Sequence, residues 1–335
     1  MELYSLSADT LGQLLRGLEL TSEDVCGTFL RRIERTDGPI GAFASVRAAQ
    51  ALDDARRVDA RRACGEALPD MAGVPVALCE GLGEDGELLA GCEAAGLVVL
   101  GWTAGETARN PYDTRRLAGG GAAACLAVGQ APLVIGTNET VALRAAAYCG
   151  VMGLRLTNGH VIMARCVADI ERMLEALRET KTPAFSLCER ETCLGLPAHL
   201  FTPDMDADVE AEIHFAVHCL EDAGTTPVDL DADETAFQHC EIVVAPGLLH
   251  VAPRVEEGLP ARENDILEGM AGMPAMALPG GFAHALPVGV RLMAPCGHER
   301  PLLNLAKAYE QLTGPAGLAR LRDVDTLDMQ FKWSI

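Results

Sequence analysis

The stretch that decides the fold reads RNPYDTRRLAGGGAAACLAVGQAPLVIGTNETVALRAAAYCGVMGL and runs from Arg109 to Leu154. Not one serine lies in it, and its middle is a tract of glycine and alanine from Ala118 to Gly129. The uncharged run from Leu117 to Asn138 contains Pro132 and is too weakly apolar to span a bilayer. It therefore predicts a buried helix.

Three further segments are needed, together with this stretch, to recognise the fold. Gly73–Cys79 reads GVPVALC, Ala271–Pro279 reads AGMPAMALP, and Leu286–Leu292 reads LPVGVRL. Together they resemble the amidase-signature hydrolases, which include the A subunit of glutamyl-tRNA amidotransferase. In that family the segments read R-N-P-x-D, a glycine- and serine-rich loop, G-[ST]-D-x-G-G-S-[IV]-R-x-P-A, C-G-x-x-G-L, G-[IV]-P-[IV]-x-[IV]-K, A-G-x-P-A-x-x-x-P and L-P-x-G-[LIV]-Q-[LIV]. The resemblance covers nearly the whole chain in order.

The resemblance implies an α/β protein with the amidase-signature fold. We expect a central mixed, twisted sheet, flanked by helices on both faces and carrying shortened active-site loops. Residues 1–335 are predicted to form a single domain. Within it, 1–65 are the N-terminal helices, 70–180 a degenerate signature core, and 181–335 the C-terminal part of the same sheet and helices. Ser7 or Asp9 is predicted to cap the first helix, and Thr21–Asp24 is predicted to begin the second. The charged segment from Arg47 to Gly65 is predicted to form a further helix whose charges face water.

The family's chemistry, as the resemblance implies it, uses a Ser-cisSer-Lys triad in which lysine is the base. Cys79 occupies the position of that lysine. The serine-rich loop has become Gly119–Ala124, about three residues short, so the bridging serine has no counterpart. Counting back from Arg144, the nucleophile falls on Ala142, and the glycines of the oxyanion hole fall on Thr140 and Val141. All three triad roles are vacant, and the prediction names no catalytic residue.

Two walls of the family's pocket are also short. Only Trp102–Ala108 separates a predicted strand from Arg109, where the family has a long segment with T-N-x-x-E-F-A. After Thr157 the chain passes through Asn158–Val161 almost directly into the next helix. Thr137, Asn138 and Val141 are predicted to line the remnant pocket, where they are candidate substrate-binding residues.

Charge and cysteine content exclude several classes of protein. The formal net charge is −21, which disfavours direct binding to nucleic acid, since phosphate contacts need clustered lysine and arginine. The 12 cysteines are scattered without a CxxC pair, and the N-terminus has no secretory signal pattern. We expect a cytoplasmic protein that binds neither nucleic acid nor membrane.

Several residues allow two interpretations. Cys79 is either a nucleophile or a small apolar replacement at the end of a buried strand. The second interpretation is favoured because the sequence shows no general base nearby that could activate the thiol. His214 and His218 have metal-ligand spacing, but surface histidines explain them better. His160 could titrate near neutral pH, but a turn histidine is the simpler interpretation. Cys125 and Cys149 are expected to behave as small apolar residues. By the resemblance, Arg109 and Asp113 mainly hold their loop and have a structural role. The acidic runs Asp204–Asp208 and Asp229–Glu234 hint at calcium but lack an EF-hand's glycine and terminal glutamate, which favours helix caps or solvated loops. No metal and no cofactor are predicted.

These expectations predict a catalytically inactive amidase-like protein that acts as a structural or regulatory subunit of a protein complex. A protein partner is expected, as a hetero-complex or a homo-oligomer. One alternative is a divergent hydrolase of small amides or carbamoyl compounds that uses Cys79, or a serine from elsewhere such as Ser186. A second is a ligand sensor that reuses the cleft.

Overall fold

The computed structural model of the protein describes residues 2–79, 86–136, 139–177, 192–197, 204–230, 236–260 and 272–317. The helices are α1 (Ala8–Arg16), α2 (Ser22–Ile40), α3 (Ala48–Ala63), α4 (Gly86–Ala94), α5 (Gly121–Ala127), α6 (Glu139–Cys149), α7 (Val167–Ala176), α8 (Ala207–Asp222), α9 (Ala236–His239) and α10 (Glu299–Gly317). The strands are β1 (Phe43–Val46), β2 (Pro75–Cys79), β3 (Val98–Thr103), β4 (Arg109–Asn110), β5 (Asp113–Leu117), β6 (Leu133–Gly136), β7 (Met152–Arg155), β8 (Val161–Ala164), β9 (Thr192–Pro197), β10 (Thr225–Leu230), β11 (Ile242–Pro246), β12 (Ala275–Ala283) and β13 (Leu286–Met293).

An eleven-stranded mixed sheet forms the centre, in the order β1-β3-β2-β6-β8-β7-β12-β13-β11-β9-β10. β2 runs parallel to β3 on one side and to β6 on the other. β8, β7, β12 and β13 alternate in direction, so the middle of the sheet is antiparallel. β4 and β5 form a separate two-stranded ribbon. Apolar residues fill both the parallel and the antiparallel strands, as expected when both faces are covered.

Helices cover both faces of this sheet. α6 packs against β7, β12 and β13 on one face, where glycines such as Gly153 and Gly289 lie against its side chains. α8 and α10 pack against β12 from the other face, and Tyr309 of α10 donates a hydrogen bond to the carbonyl of Pro279. This is the predicted α/β architecture with a mixed sheet between helical layers.

The first two helices begin at sequence-predicted caps that carboxylates from distant segments complete. Ser7 accepts a hydrogen bond from the amide of Thr10, and Thr21 accepts one from Asp24. The buried Asp169 of α7 also accepts the amides of Ala8 and Asp9, both at 2.9 Å. In the same way, Asp59 of α3 accepts the amides of Ser22 and Glu23 at 2.8 and 3.0 Å. Each helix start therefore has most of its free amides satisfied.

The uncharged run from Leu117 to Asn138 differs from the prediction of one buried helix. Only Gly121–Ala127 is helical, and the chain then turns at Gly129 into the buried strand β6. Gly129 adopts a positive φ of 71°, a conformation that ends a helix, and Pro132 cannot continue one. The prediction of burial is confirmed, whereas the prediction of a single helix is wrong.

Candidate functional site

Three parallel strands end together at one edge of the sheet. β2 ends at Cys79, β3 at Thr103 and β6 at Gly136. α6 begins at Glu139, directly beyond β6 along the chain. In open α/β sheets ligands bind outside the carboxyl ends of the strands. This edge is therefore the candidate functional site.

Cys79 sits at the centre of this edge. It lies opposite Thr103 in the strand register, and the Thr103 side chain hydrogen-bonds with it. On its other side it lies against Gly136, where a β-carbon would overlap its sulfur atom. The thiol thus lies between the two neighbouring strands, and the residue is partly exposed.

Desolvation between the two strands shifts the protonation equilibrium of the Cys79 thiol. Burial raises the pKa of Cys79 to about 11, and the hydrogen bond with Thr103 offsets only part of that rise. No basic group of the described residues contributes to lowering this pKa. At pH 7, four units below the pKa, only about one molecule in 10⁴ carries a thiolate. Burial therefore favours the neutral thiol over the thiolate among the described surroundings of Cys79.

The glycine loop before α5 is closed against backbone. Gly121 donates its amide to the carbonyl of Ala104 at 2.9 Å. A β-carbon at Gly121 would lie 2.6 Å from that carbonyl oxygen and 2.8 Å from the amide nitrogen of the same residue. Gly119 has a φ of +76°, which disfavours any side chain there. These two positions cannot carry serines without moving the surrounding backbone.

α6 holds the position implied for the nucleophile. Ala142 lies in the first turns of this helix and is buried, with a methyl group that has no nucleophilic atom. Two residues on, the buried guanidinium of Arg144 reaches Glu106 across 2.8 Å. Glu106 is half exposed, so this ion pair joins the interior of the helix to the short loop after β3.

The Arg109–Asp113 motif holds backbone in place. The buried Asn110 donates its side-chain amide to the carbonyl of Tyr148 at 2.9 Å, at the end of α6. Asp113 pairs with Arg115 at 2.9 Å, and the hydrogen bond from that guanidinium lowers the pKa of Asp113. These contacts agree with the structural role expected for the motif.

The sequence is similar to the A subunit of glutamyl-tRNA(Gln) amidotransferase from several bacteria. The subunit of Moorella thermoacetica is 29% identical over 337 residues, which cover 81% of this chain and 68% of the relative. That of Cutibacterium acnes is 31% identical over 297 residues, which cover 68% of this chain and 59% of the relative. The match thus spans about three fifths to two thirds of these relatives. No family model matches the sequence.

Solved structures share the fold. The structure that reveals a vestigial protein complex and the evolutionary origins of an s-triazine catabolic enzyme has a TM-score of 0.77 at 22% identity, covering 95% of this chain and 100% of that chain. A bacterial aryl acylamidase of the amidase signature family has a TM-score of 0.76 at 15% identity, covering 92% and 96%. The chain has the amidase-signature fold. The relatives in sequence support the same family.

The structure places two of the predicted amidase-signature positions at the candidate site. Cys79 ends β2, and Ala142 lies in the helix that follows the neighbouring strand β6. Val141 lies in the same helix, although its side chain is outside the described part of the structure. Thr137 and Asn138 lie outside the described residues altogether. Their assignment to a remnant pocket stays a prediction.

Two cysteines behind the site behave as small apolar residues. Cys125 and Cys149 are both fully buried, and burial raises the pKa of each thiol. The Cys125 thiol contacts the carbonyl of Ala122, and the Cys149 thiol that of Ala118. Neither is activated for chemistry, as the sequence indicates.

The histidines singled out by sequence lie away from this edge. His214 and His218 are 60% and 67% exposed on α8, beside Glu210 and Glu221 of the same helix. The backbone amide of His160 bonds to the Asn158 side chain, in the turn between β7 and β8. The surface and turn interpretations of these histidines agree with the structure.

One possible metal-ligand group brings together residues that are distant in sequence. Ligand atoms of Asp206, Asp208 and His284 lie within 4.8 Å of one another. Asp206 is the N-cap of α8 and accepts the amides of Asp208 and Val209. His284, in the turn between β12 and β13, lies 3.0 Å from the Asp206 carboxylate, and that hydrogen bond lowers the Asp206 pKa. The helix-cap interpretation of the first acidic run is confirmed, and a cap with its histidine partner accounts for the group.

Three residues of the site were not predicted from the sequence. Thr103 and Gly136 lie on either side of Cys79, and Glu106 pairs with Arg144. The contacts of Thr103 and Gly136 with Cys79 depend on the register of neighbouring strands, which no local sequence pattern predicts. Glu106 and Ala108 fall on the E and the final A of the family segment T-N-x-x-E-F-A, and this match was an available signal for Glu106. Separately, none of the helices among the described residues combines the length and apolarity needed to cross a membrane.

Proposed function

We propose that this protein is a catalytically inactive amidase-fold protein that serves as a structural or regulatory subunit of a protein complex. The observation that carries the proposal is the state of Cys79. The residue at the implied position of the catalytic base is a thiol held neutral by burial, with no basic group of the described residues acting on it. A protonated thiol neither accepts a proton from a nucleophile nor attacks a carbonyl carbon.

The other two implied roles add to this support. Ala142 has no atom that can attack an amide, and the loop at Gly121 has no room for a side chain. In serine hydrolases, loss of the nucleophile or base alone lowers turnover by about 10⁶-fold. Residual catalysis in such enzymes comes from the oxyanion hole, whose implied glycines are Thr140 and Val141 here.

The proposed structural or regulatory role is supported by the scaffold that the protein retains. The sheet, both helical layers and the Asn110 contacts hold the scaffold, while the implied chemistry is missing. The loops at Trp102–Ala108 and Asn158–Val161, which we propose are shortened, leave this edge open to a protein partner. One structural neighbour comes from work on a vestigial protein complex. We place the protein in the cytoplasm, in a hetero-complex or homo-oligomer, without metal or cofactor.

Turnover and association together test the proposal. The purified protein is incubated with a panel of primary amides, anilides and ureas, and released ammonia or amine is measured beside Cys79→Ala and Cys64→Ala variants. Cys64 is exposed and lies outside the three strand ends that form the site, so its variant is the matched control. We expect no release above buffer from any of the three, and a stoichiometric protein companion on purification from the native source. Turnover that Cys79→Ala abolishes and Cys64→Ala preserves would establish the alternative, a divergent cysteine amidase.

A further inference from the structure

A groove opens between α2 and α3, beside the end of the edge strand β1. Its volume is about 660 Å³, in the range of sites that hold ligands or partner side chains. Its walls come from α2, the last residue of β1 and the first half of α3. We call this surface the α2–α3 groove. It shares no residue with the Cys79 site.

One side of the groove has the spacing of a helix-packing seam. Glu23, Gly27, Leu30 and Glu34 line it from α2 at intervals of four, three and four residues. This interval pattern matches the a and d positions of a heptad, the positions that face another helix in coiled-coil packing. Gly27 leaves a gap in the middle of the seam, because a β-carbon there would meet only the end of the Arg31 side chain, at 3.3 Å.

The floor of the groove is apolar and incompletely covered. Leu30 and Leu52 are partly buried, and Val46 at the mouth is 41% exposed. Ile33 is buried beneath them. An apolar knob inserted beside Gly27 would cover these side chains and remove their surface from water, which favours association.

The rim of the groove is acidic. Glu23 pairs with Arg56 at 2.8 Å, whereas Asp24 and Glu34 are exposed and make no ion pair within the described ranges of the chain. Arg31 donates a hydrogen bond to Thr28 of its own helix. A basic partner would therefore find two carboxylates available. A second copy of this chain fits less well, because each copy carries a net charge of −21 and the two would repel.

We infer that the α2–α3 groove binds an amphipathic helix of a partner protein, with large apolar residues at its a and d positions and lysine or arginine beside them. The inference deepens the proposed function and rests on it for the role of the contact, since it supplies the surface through which a non-catalytic subunit would join a complex. The apolar knob sits over Gly27, and the basic residues pair with Asp24 and Glu34.

Two matched glycine variants test the groove. Gly27→Leu fills the gap in the seam and leaves the charge of the protein unchanged. Gly38→Leu makes the same replacement on the same helix outside the groove, where a β-carbon meets nothing within 4 Å. Both replacements raise helix propensity, so neither is expected to unfold α2. Circular dichroism and thermal melting confirm that each variant is folded.

The probe is a labelled three-heptad peptide with leucine at a and d and lysine at e and g, and a second peptide carries glutamate in place of lysine. Fluorescence anisotropy at low salt measures their binding to the full chain. We expect the lysine peptide to bind, and Gly27→Leu to weaken it by about tenfold or more while Gly38→Leu does not. Glu34→Lys is expected to weaken the same peptide, and added salt to weaken it further.

Other outcomes overturn the inference. If the Gly27→Leu and Gly38→Leu variants bind the lysine peptide equally well, the groove is not the binding site. If the glutamate peptide binds as tightly as the lysine peptide, the groove has no preference for basic helices. Self-association that Gly27→Leu abolishes in sedimentation makes a second copy the occupant. Amide turnover by the same preparation would contradict only the proposed function, and loss of peptide binding only the groove inference. The two results are therefore distinguishable.

Discussion

Cys79 is expected to react more slowly with alkylating agents than the exposed cysteines of this protein do. The perturbation is alkylation with iodoacetamide at pH 7, followed residue by residue in the folded protein. Cys64 and Cys296 are exposed and serve as internal references, whereas Cys79 is only partly exposed and lies between Thr103 and Gly136. Alkylation proceeds through the thiolate, so the pKa of the thiol controls its rate.

The magnitude follows from that pKa. Burial raises the pKa of Cys79 from 9.0 to about 11, which lowers its thiolate fraction at pH 7 by about 100-fold relative to an ordinary thiol. A more basic thiolate is intrinsically more nucleophilic, by roughly eightfold over two pKa units when the Brønsted slope is about 0.45. Ionisation alone therefore slows Cys79 by about tenfold. Restricted access beside Thr103 and Gly136 slows it further.

Quenched time points, digestion and mass spectrometry give a rate for each cysteine between pH 6.5 and 9.5. The Cys79 rate should rise about tenfold per pH unit across this whole range, because the range lies below its pKa. Thr103→Val removes the hydrogen bond to the sulfur and should raise the pKa further and slow alkylation. A Cys79 rate above that of Cys64 at pH 7, or a plateau below pH 9, would refute the reasoning and favour an activated cysteine.

Three further outcomes are expected. Gly121→Ser forces a side chain onto the backbone of Ala104 and should lower the free energy of unfolding by about 2–3 kcal/mol in urea titration, whereas Gly38→Ser should change it little. Asp169→Ala leaves the amides of Ala8 and Asp9 without their acceptor and should destabilise by roughly 2–4 kcal/mol; an unchanged melting temperature contradicts this. Asp206→Asn keeps a helix cap but removes the carboxylate whose hydrogen bond with His284 lowers the Asp206 pKa. Because that stability is present above the unfolded pKa of about 3.9 and is lost as pH falls toward the folded value, the difference from wild type should shrink in acid.

Local patterns predicted many of the elements. Ser7 and Thr21 cap α1 and α2 as expected, because capping depends on residues within one turn. The buried strand ending at Cys79 follows from its apolar run after Gly73. The charged segment from Arg47 to Gly65 forms α3, with its charges on the exposed side. The central mixed sheet was predicted from the family resemblance and not from periodicity, and the order of its strands was not predicted.

The environment of the candidate site depends on contacts between distant segments. Family resemblance assigned Cys79 to the lysine position, but the contacts with Thr103 and Gly136 depend on the register of three strands. The close approach of Gly121 to Ala104 depends on how the loop after β3 meets α5. For the same reason His284 could not be linked to the acidic run before α8. The single domain over residues 1–335 and the remnant-pocket residues stay predictions.

The capping of α1 by Asp169 ties the beginning of the chain to a residue made much later. The acceptor lies 161 positions after the amide of Ala8. At translation rates of roughly 5–20 residues per second, this interval corresponds to roughly 8–32 s of synthesis. During that time the first turn of α1 lacks its partner on the ribosome. The N-terminal segment of the nascent chain is therefore open to proteases and chaperones until α7 has emerged and docked.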